Sequence, residues 1–203
     1  RTRAMLHGVN VPYYFLTGAS CLVSSALAGD LPCVPVTPDE TFTNDLFQGR
    51  WYEVGRIQTP GGGAYQEGCM CDTTDVAVEP ENFPLGDAKA TYSCNKNAVD
   101  GEVQSVTANL FYDGTPGGFQ QQFPFPFAPK LAYNLLLIDE DIAMEYDCHK
   151  YELTGNTEYC VHFMSRTPSI DDKRLMDLID FAESLGLNNQ NITYKATEQE
   201  GCW

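Results

Sequence analysis

The sequence predicts an all-β domain: an antiparallel barrel or sandwich of eight strands, with one amphipathic helix packed outside it. Three observations point there. Eight runs rich in aromatic and β-branched residues follow one another between Arg50 and Ser165, each about 6–10 residues long and separated by short turns. No helical periodicity intervenes, which excludes a βαβ arrangement. After the last run, Leu175, Leu178, Ile179, Ala182 and Leu185 recur at helical spacing, so one apolar helix face must find cover on the outside of the sheet.

The elements follow in order. Three prolines within Leu31–Pro38 predict an extended lead-in. The first strand is Arg50–Ile57, broken by the glycine-rich segment Pro60–Gly68. Further strands are expected at Thr73–Val78, Ala88–Cys94, Val103–Tyr112 and Gly118–Phe123. The proline-broken run Phe123–Pro129 follows, then Leu131–Ile138, Ile142–His149 and Glu158–Ser165. Gly155-Asn156 accepts positive φ and turns the last hairpin. Ser169 is the expected helix cap, with Asp171 and Asp172 favourable at the positive helix end and Gly186 stopping it.

Charge divides the chain at Gly29. The 203 residues carry 28 acidic and 12 basic side chains, a net charge of −16. That balance excludes a groove for nucleic acid, which needs Lys and Arg on phosphates. Residues 1–29 hold Arg1, Arg3 and no acid, and Val11–Ala28 is apolar. A basic start, an apolar middle and Ala26-x-Ala28 read as a secretory or thylakoid-transfer signal. The competing reading is a membrane- or partner-docking extension, although Pro12 and Gly18 weaken it as a span. The division expected is therefore 1–32, a targeting remnant or docking segment, and 33–203, the barrel domain. Eight cysteines indicate disulfides in an oxidising compartment.

Gly49-Arg-Trp-Tyr-Glu-Val54 resembles the glycine-x-tryptophan motif that opens the lipocalin barrel, and Ser165-Arg-Thr-Pro168 resembles that family's third block. Leu137–Asp141 stands where the second block would lie, without its usual wording. The resemblance implies an eight-stranded up-and-down barrel, the lipocalin calyx. It also implies that Arg166 covers Trp51 at the closed end, a cation–π contact and a plug. Gln66–Cys71, Phe123–Tyr133 and Glu198–Cys202 are similar to the plastid (chloroplastic) lipocalins, with apolipoprotein D and the bacterial outer-membrane lipocalin next nearest. The segment 60–68 matches the large loop over the barrel mouth, a lid by that resemblance.

Cys148 and Cys160 straddle the last hairpin and are placed to face each other across it. The apolipoprotein D resemblance implies Cys33 with Cys148 instead. Cys202 is expected on Cys69 or Cys71, with Cys94 taking the other, and Cys21 has no evident partner. No metal is expected at Cys69-x-Cys71, because zinc sites need a second ligand pair at suitable spacing and His149 and His162 lie on separate strands.

An eight-stranded barrel holds one small ligand on alternate residues of its strands. The candidate wall is Tyr92, Phe111, Phe119, Phe123, Tyr133, Tyr146 and Phe163. There is no Gly-x-Ser-x-Gly turn or Ser-His-Asp order, so no enzyme is expected. The alternative is activity like that of the lipocalin-fold xanthophyll de-epoxidases. By resemblance, the chain is a plastid-lumen protein that binds a fatty acid, lipid peroxide or carotenoid, requires no cofactor, and protects thylakoid lipids and antenna. Residues 8–28 would dock it on a photosystem–antenna complex. An extracellular carrier like apolipoprotein D is the other setting.

Overall fold

The computed structural model describes residues 32–60, 66–151 and 154–203. Eight strands form the barrel: β1 (Gly49–Gln58), β2 (Cys69–Ala77), β3 (Ala88–Lys96), β4 (Val103–Tyr112), β5 (Gly118–Gln122), β6 (Leu131–Ile138), β7 (Ile142–Lys150) and β8 (Thr157–Ser165). Each pairs antiparallel with the next, and β1 pairs with both β2 and β8, so the sheet closes on itself. A short helix α1 (Asn44–Phe47) precedes β1, and α2 (Asp172–Ser184) follows β8. A two-residue strand β9 (Lys195–Ala196) pairs with Gly55 and Arg56 of β1. Segment 8–28 lies outside the described residues, and among those described no helix is long and apolar enough to cross a membrane.

Two apolar layers hold the barrel. Inside, toward the closed end, Phe42, Phe47, Trp51, Leu110, Phe119, Tyr133 and Leu135 pack together. Phe42 and Phe119 meet edge-on at 5.5 Å, the geometry aromatic quadrupoles favour. Outside, Val54, Ile57, Met144, Tyr146, Val161 and Phe163 receive Leu178 and Ala182 of α2. The helix cap differs from expectation. Asp171, not Ser169, accepts from the backbone N–H groups of Lys173 and Arg174, because its carboxylate stands immediately before the first turn. Gly186 takes φ of +72° and ends the helix. Leu185 stays exposed, and Leu187 takes the buried place past the glycine.

The closed end is finished by α1. Thr43 caps this helix, and the Trp51 indole N–H donates to the Phe47 carbonyl at 2.8 Å. The Arg166 guanidinium lies 3.6 Å from the Trp51 ring centre and donates to the carbonyls of Leu46, Gln48 and Arg50. One planar fork thus satisfies the orphan acceptors of a helix end while covering the indole. Arg166→Ala is expected to cost about 2 kcal/mol, read as a lower urea midpoint, with Arg166→Lys recovering only part because an ammonium cannot match the fork.

Among the described residues there are three disulfides: Cys33–Cys148, Cys69–Cys94 and Cys71–Cys202. Cys160 is free and buried, which corrects its assignment as a partner for Cys148. The register gives the reason. Cys148 sits opposite Tyr159 while Cys160 sits opposite Asp147, so the two thiols point to opposite faces of the sheet.

The mouth-ward half of the barrel has a seam between β1 and β2. The two strands pair only from Gly49 to Tyr52. Above that, the C-terminal segment fills in: Gln199 Nε2 donates to the Glu53 and Asp72 carbonyls, Glu198 O accepts from Cys71 N, and Cys71–Cys202 anchors the segment. Gly55 is obligatory here, because a Cβ at that position would lie 2.0 Å from the Tyr194 hydroxyl.

Candidate functional site in the upper barrel

A β-bulge between Glu53 and Gly55 resets the alternation of β1. Trp51 and Glu53 point inward, Val54 packs outside, and Arg56 returns to the interior before Ile57 faces out again. Two charged residues three apart therefore enter the same lumen, where they form a buried ion pair.

Around that pair stands a dense polar layer. The Glu53 carboxylate accepts from Arg56 Nη1, from the Thr197 hydroxyl at 2.5 Å, from Gln66 Nε2 at 2.9 Å and shares a 2.6 Å contact with His162 Nδ1. Burial raises its proton affinity, but the His162 hydrogen bond and the Arg56 charge outweigh burial and bring Glu53 down to about 2. Asp72 lies 3.7 Å from Arg56 Nη1 and accepts from Gln66 Nε2 at 3.0 Å. Burial, with the Glu53 charge beside it, pushes Asp72 up to about 8. Burial likewise pushes Glu145 up to about 7, and the Tyr133 hydroxyl donates to its Oε2 at 2.7 Å. Burial works against a charged His162, yet its neighbours Cys160, Glu145 and Asp147 hold it well above the ordinary imidazole value. Its Nε2 stands 3.4 Å from Asp147 Oδ2.

Above this layer is a cavity of about 70 Å³ lined by Gln66, Tyr92, Gln121, Phe123, Leu131, Glu145, Asp147 and His162. The Gln121 amide donates to the Tyr92 hydroxyl at 2.5 Å, and Phe123 stacks on Phe125 at 6.2 Å. A second, shallower hollow of about 120 Å³ lies at the closed end near Asn82, Asp87 and Leu110, away from this chemistry.

The predicted wall residues divide three ways. Tyr92 and Phe123 line the cavity. Phe119 and Tyr133 lie inside but belong to the closed-end core. Phe111, Tyr146 and Phe163 are on the outer surface of the barrel, a correction to their placement in the calyx. Lys130 Nζ rests 4.3 Å above the Phe111 ring, the Tyr146 hydroxyl accepts from Val34 N at 3.1 Å, and Phe163 meets Tyr194 at 5.8 Å. The physical reason is phase. On β7 the acids Glu145 and Asp147 face in, so the intervening Tyr146 faces out, and on β8 His162 faces in beside an outward Phe163. Sequence reasoning missed Glu53, Arg56, Gln66, Asp72, Glu145, Asp147 and His162. The available signal was the acid alternation Glu145-x-Asp147, which in an ordinary half-exposed strand marks the solvent face. Of the expected lid, residues 61–65 lie outside the described residues.

Cys69 and Cys71 are both disulfide-bonded, so they offer no thiolate to a metal. His149, two residues beyond Asp147 on β7, packs its ring edge-on against Tyr151 at 4.6 Å.

A single-chain calyx closed by a Trp–Arg pair and opened at its other end by a small cavity defines a β-barrel of the cup type. This is the lipocalin fold. Lobster apocrustacyanin A1 has the same architecture, with a TM-score of 0.60 at 14% identity over 85% of this chain and 94% of that one. Insecticyanin from the tobacco hornworm Manduca sexta gives a TM-score of 0.64 at 16% identity over 83% and 87% of the two chains. No family model and no curated protein matches by sequence.

Proposed function

We propose that this protein belongs with the lipocalins and binds one small hydrophobic molecule bearing a polar, uncharged end, held at the mouth of the calyx. The observation that carries this reading is the cavity itself, where Phe123 and Leu131 stand beside Tyr92, Gln121 and the acids of β7. An acid-lined floor disfavours a free carboxylate and suits a hydroxyl or carbonyl. Among the ligand classes the sequence suggests, a hydroxylated carotenoid or an oxidised lipid therefore fits better than a fatty acid. Drug-sized ligands occupy roughly 300–1,000 Å³. The 70 Å³ present means that the Phe123–Phe125 stack must swing aside to admit one. The free thiol supports binding rather than covalent catalysis, since burial pushes Cys160 up to about 12 and leaves it without nucleophilic character.

Leu131→Trp tests the reading. It fills the mouth without touching the closed-end core, and is expected to weaken binding of a hydroxylated carotenoid at least tenfold, about 1.4 kcal/mol, in an absorbance titration. Unchanged affinity in a folded variant would place the ligand elsewhere.

Three disulfides favour an oxidising compartment, either extracellular or the plastid lumen. Nearness to the plastid lipocalins, a photoprotective role, and docking on a photosystem–antenna complex through residues 8–28 rest on the sequence resemblance. They are tested by whether deleting residues 1–29 abolishes co-purification with thylakoid membrane complexes.

A further inference from the structure

We propose that Glu145, Asp147 and His162 form a site for one first-row divalent metal ion inside the calyx. One donor atom from each residue lies within 4.8 Å of the others, and all three line the same cavity. Ligands bonded to one ion at about 2.0–2.2 Å stand roughly 3.3–3.5 Å apart in a tetrahedral site. His162 Nε2 and Asp147 Oδ2 are already 3.4 Å apart. Only the remaining carboxylate has to move inward.

The histidine is also oriented for the task. Its Nδ1 is engaged by Glu53 at 2.6 Å, which leaves Nε2 toward the cavity acids. A carboxylate behind an imidazole fixes the ring and raises its basicity as a ligand. Glu53 is itself held by Arg56, Gln66 and Thr197, so the support does not swing.

A separate observation comes from Gln66. It lines the cavity and is 6% exposed, yet its side-chain Oε1 is buried and has no hydrogen-bond partner among the described residues. An orphaned buried carbonyl costs about 1–3 kcal/mol unless something satisfies it. A metal ion or its bound water is a suitable partner. Size agrees: at about 30 Å³ per water, 70 Å³ takes an ion with one or two waters.

The donor chemistry sets selectivity. One imidazole and two carboxylates suit Zn²⁺ or Co²⁺, whereas Ca²⁺ needs about 6–8 oxygens and Mg²⁺ retains its waters. The site lies in the cavity proposed above for the ligand's polar end, and metal binding can be measured without that ligand.

The test is titration of chelator-treated full-length protein with Co²⁺, followed by visible absorption, and with Zn²⁺ in competition. The expected result is one Co²⁺ per chain, displaced by Zn²⁺ and unaffected by excess Ca²⁺ or Mg²⁺. Asp147→Asn and Glu145→Gln should each weaken Co²⁺ binding at least tenfold. Because these variants alter a buried network, paramagnetic broadening in the unaltered protein gives a second readout. Loss of the Gln66 and Tyr92 signals on adding Co²⁺ supports the site. No binding at millimolar Co²⁺, broadening confined to exposed acids, or unchanged affinity in folded variants would overturn it.

Discussion

Glu53→Gln is expected to lower stability by about 3–5 kcal/mol at neutral pH, because removing one member of a buried charge network strands the others. Arg56 would lose its nearest counter-charge and His162 the carboxylate on its Nδ1. The same network shapes the response to pH. Glu53 titrates near 2 in the folded protein against an ordinary 4.5. Its contribution is thus complete above the ordinary value and disappears as pH falls toward about 2. Glu145 and Asp72 act in the opposite sense. Their folded values are raised to about 7 and about 8, so folding favours their protonated forms and stability declines as pH rises from the ordinary carboxylate range through those values. The raised His162 has the same sign: its contribution is whole below the ordinary imidazole value and is lost as pH rises from there through its higher folded value. Metal-free protein should therefore be most stable near pH 4–5 and weaken by several kcal/mol toward pH 8, since each tenfold difference in proton affinity between the folded and unfolded chain is worth about 1.4 kcal/mol. Urea midpoints from pH 3 to 9 check this, and a flat profile between pH 5 and 8 would contradict it. In Glu53→Gln the acid limb should vanish while the alkaline decline persists.

Replacing Cys33 and Cys148 together by alanine is the second large loss. That bond spans 115 residues and ties the lead-in to the outer face of β7. Loop-closure entropy alone sets about 4–5 kcal/mol for a loop of that size, with measured values more often about 2–4 kcal/mol. Native contacts should go with it: Val34 and Val36 pack on the outer core and Val34 N donates to Tyr146. A melting temperature within a degree or two of the parent would show that the lead-in is held by packing alone. Proteolysis at Val34–Pro38 should accelerate in the variant, reporting release of this segment in particular.

The strands were legible because each run ends in turn chemistry or proline, and their observed bounds lie within a few residues of those expected. Trp51 and Arg166 were legible as words of a family motif. What alternation could not supply was phase. β7 carries Met144, Tyr146 and Cys148 on one face and Glu145 and Asp147 on the other, and in most half-buried strands the acids face water. Here the outer face is covered by α2 and the lead-in, so the apolar set is used up outside and the acids are left for the lumen. The C-terminal seam was hidden for a different reason. Two residues of strand and a glutamine bridge carry no periodicity at all.

The bulge in β1 has a consequence for how this barrel tolerates change. It works as a phase shifter: below it the strand obeys one inside–outside rule, above it the opposite one. Removing the extra residue at Val54 would leave Gly55, Arg56 and Ile57 opposite Phe163, His162 and Val161, so Arg56 would still enter the lumen. Smoothing the bulge at constant length would instead turn Arg56 toward the apolar underside of α2 and carry Ile57 into the lumen. The barrel's upper chemistry thus hangs on a single unpaired residue, which lets two charges an odd number of places apart share one chamber.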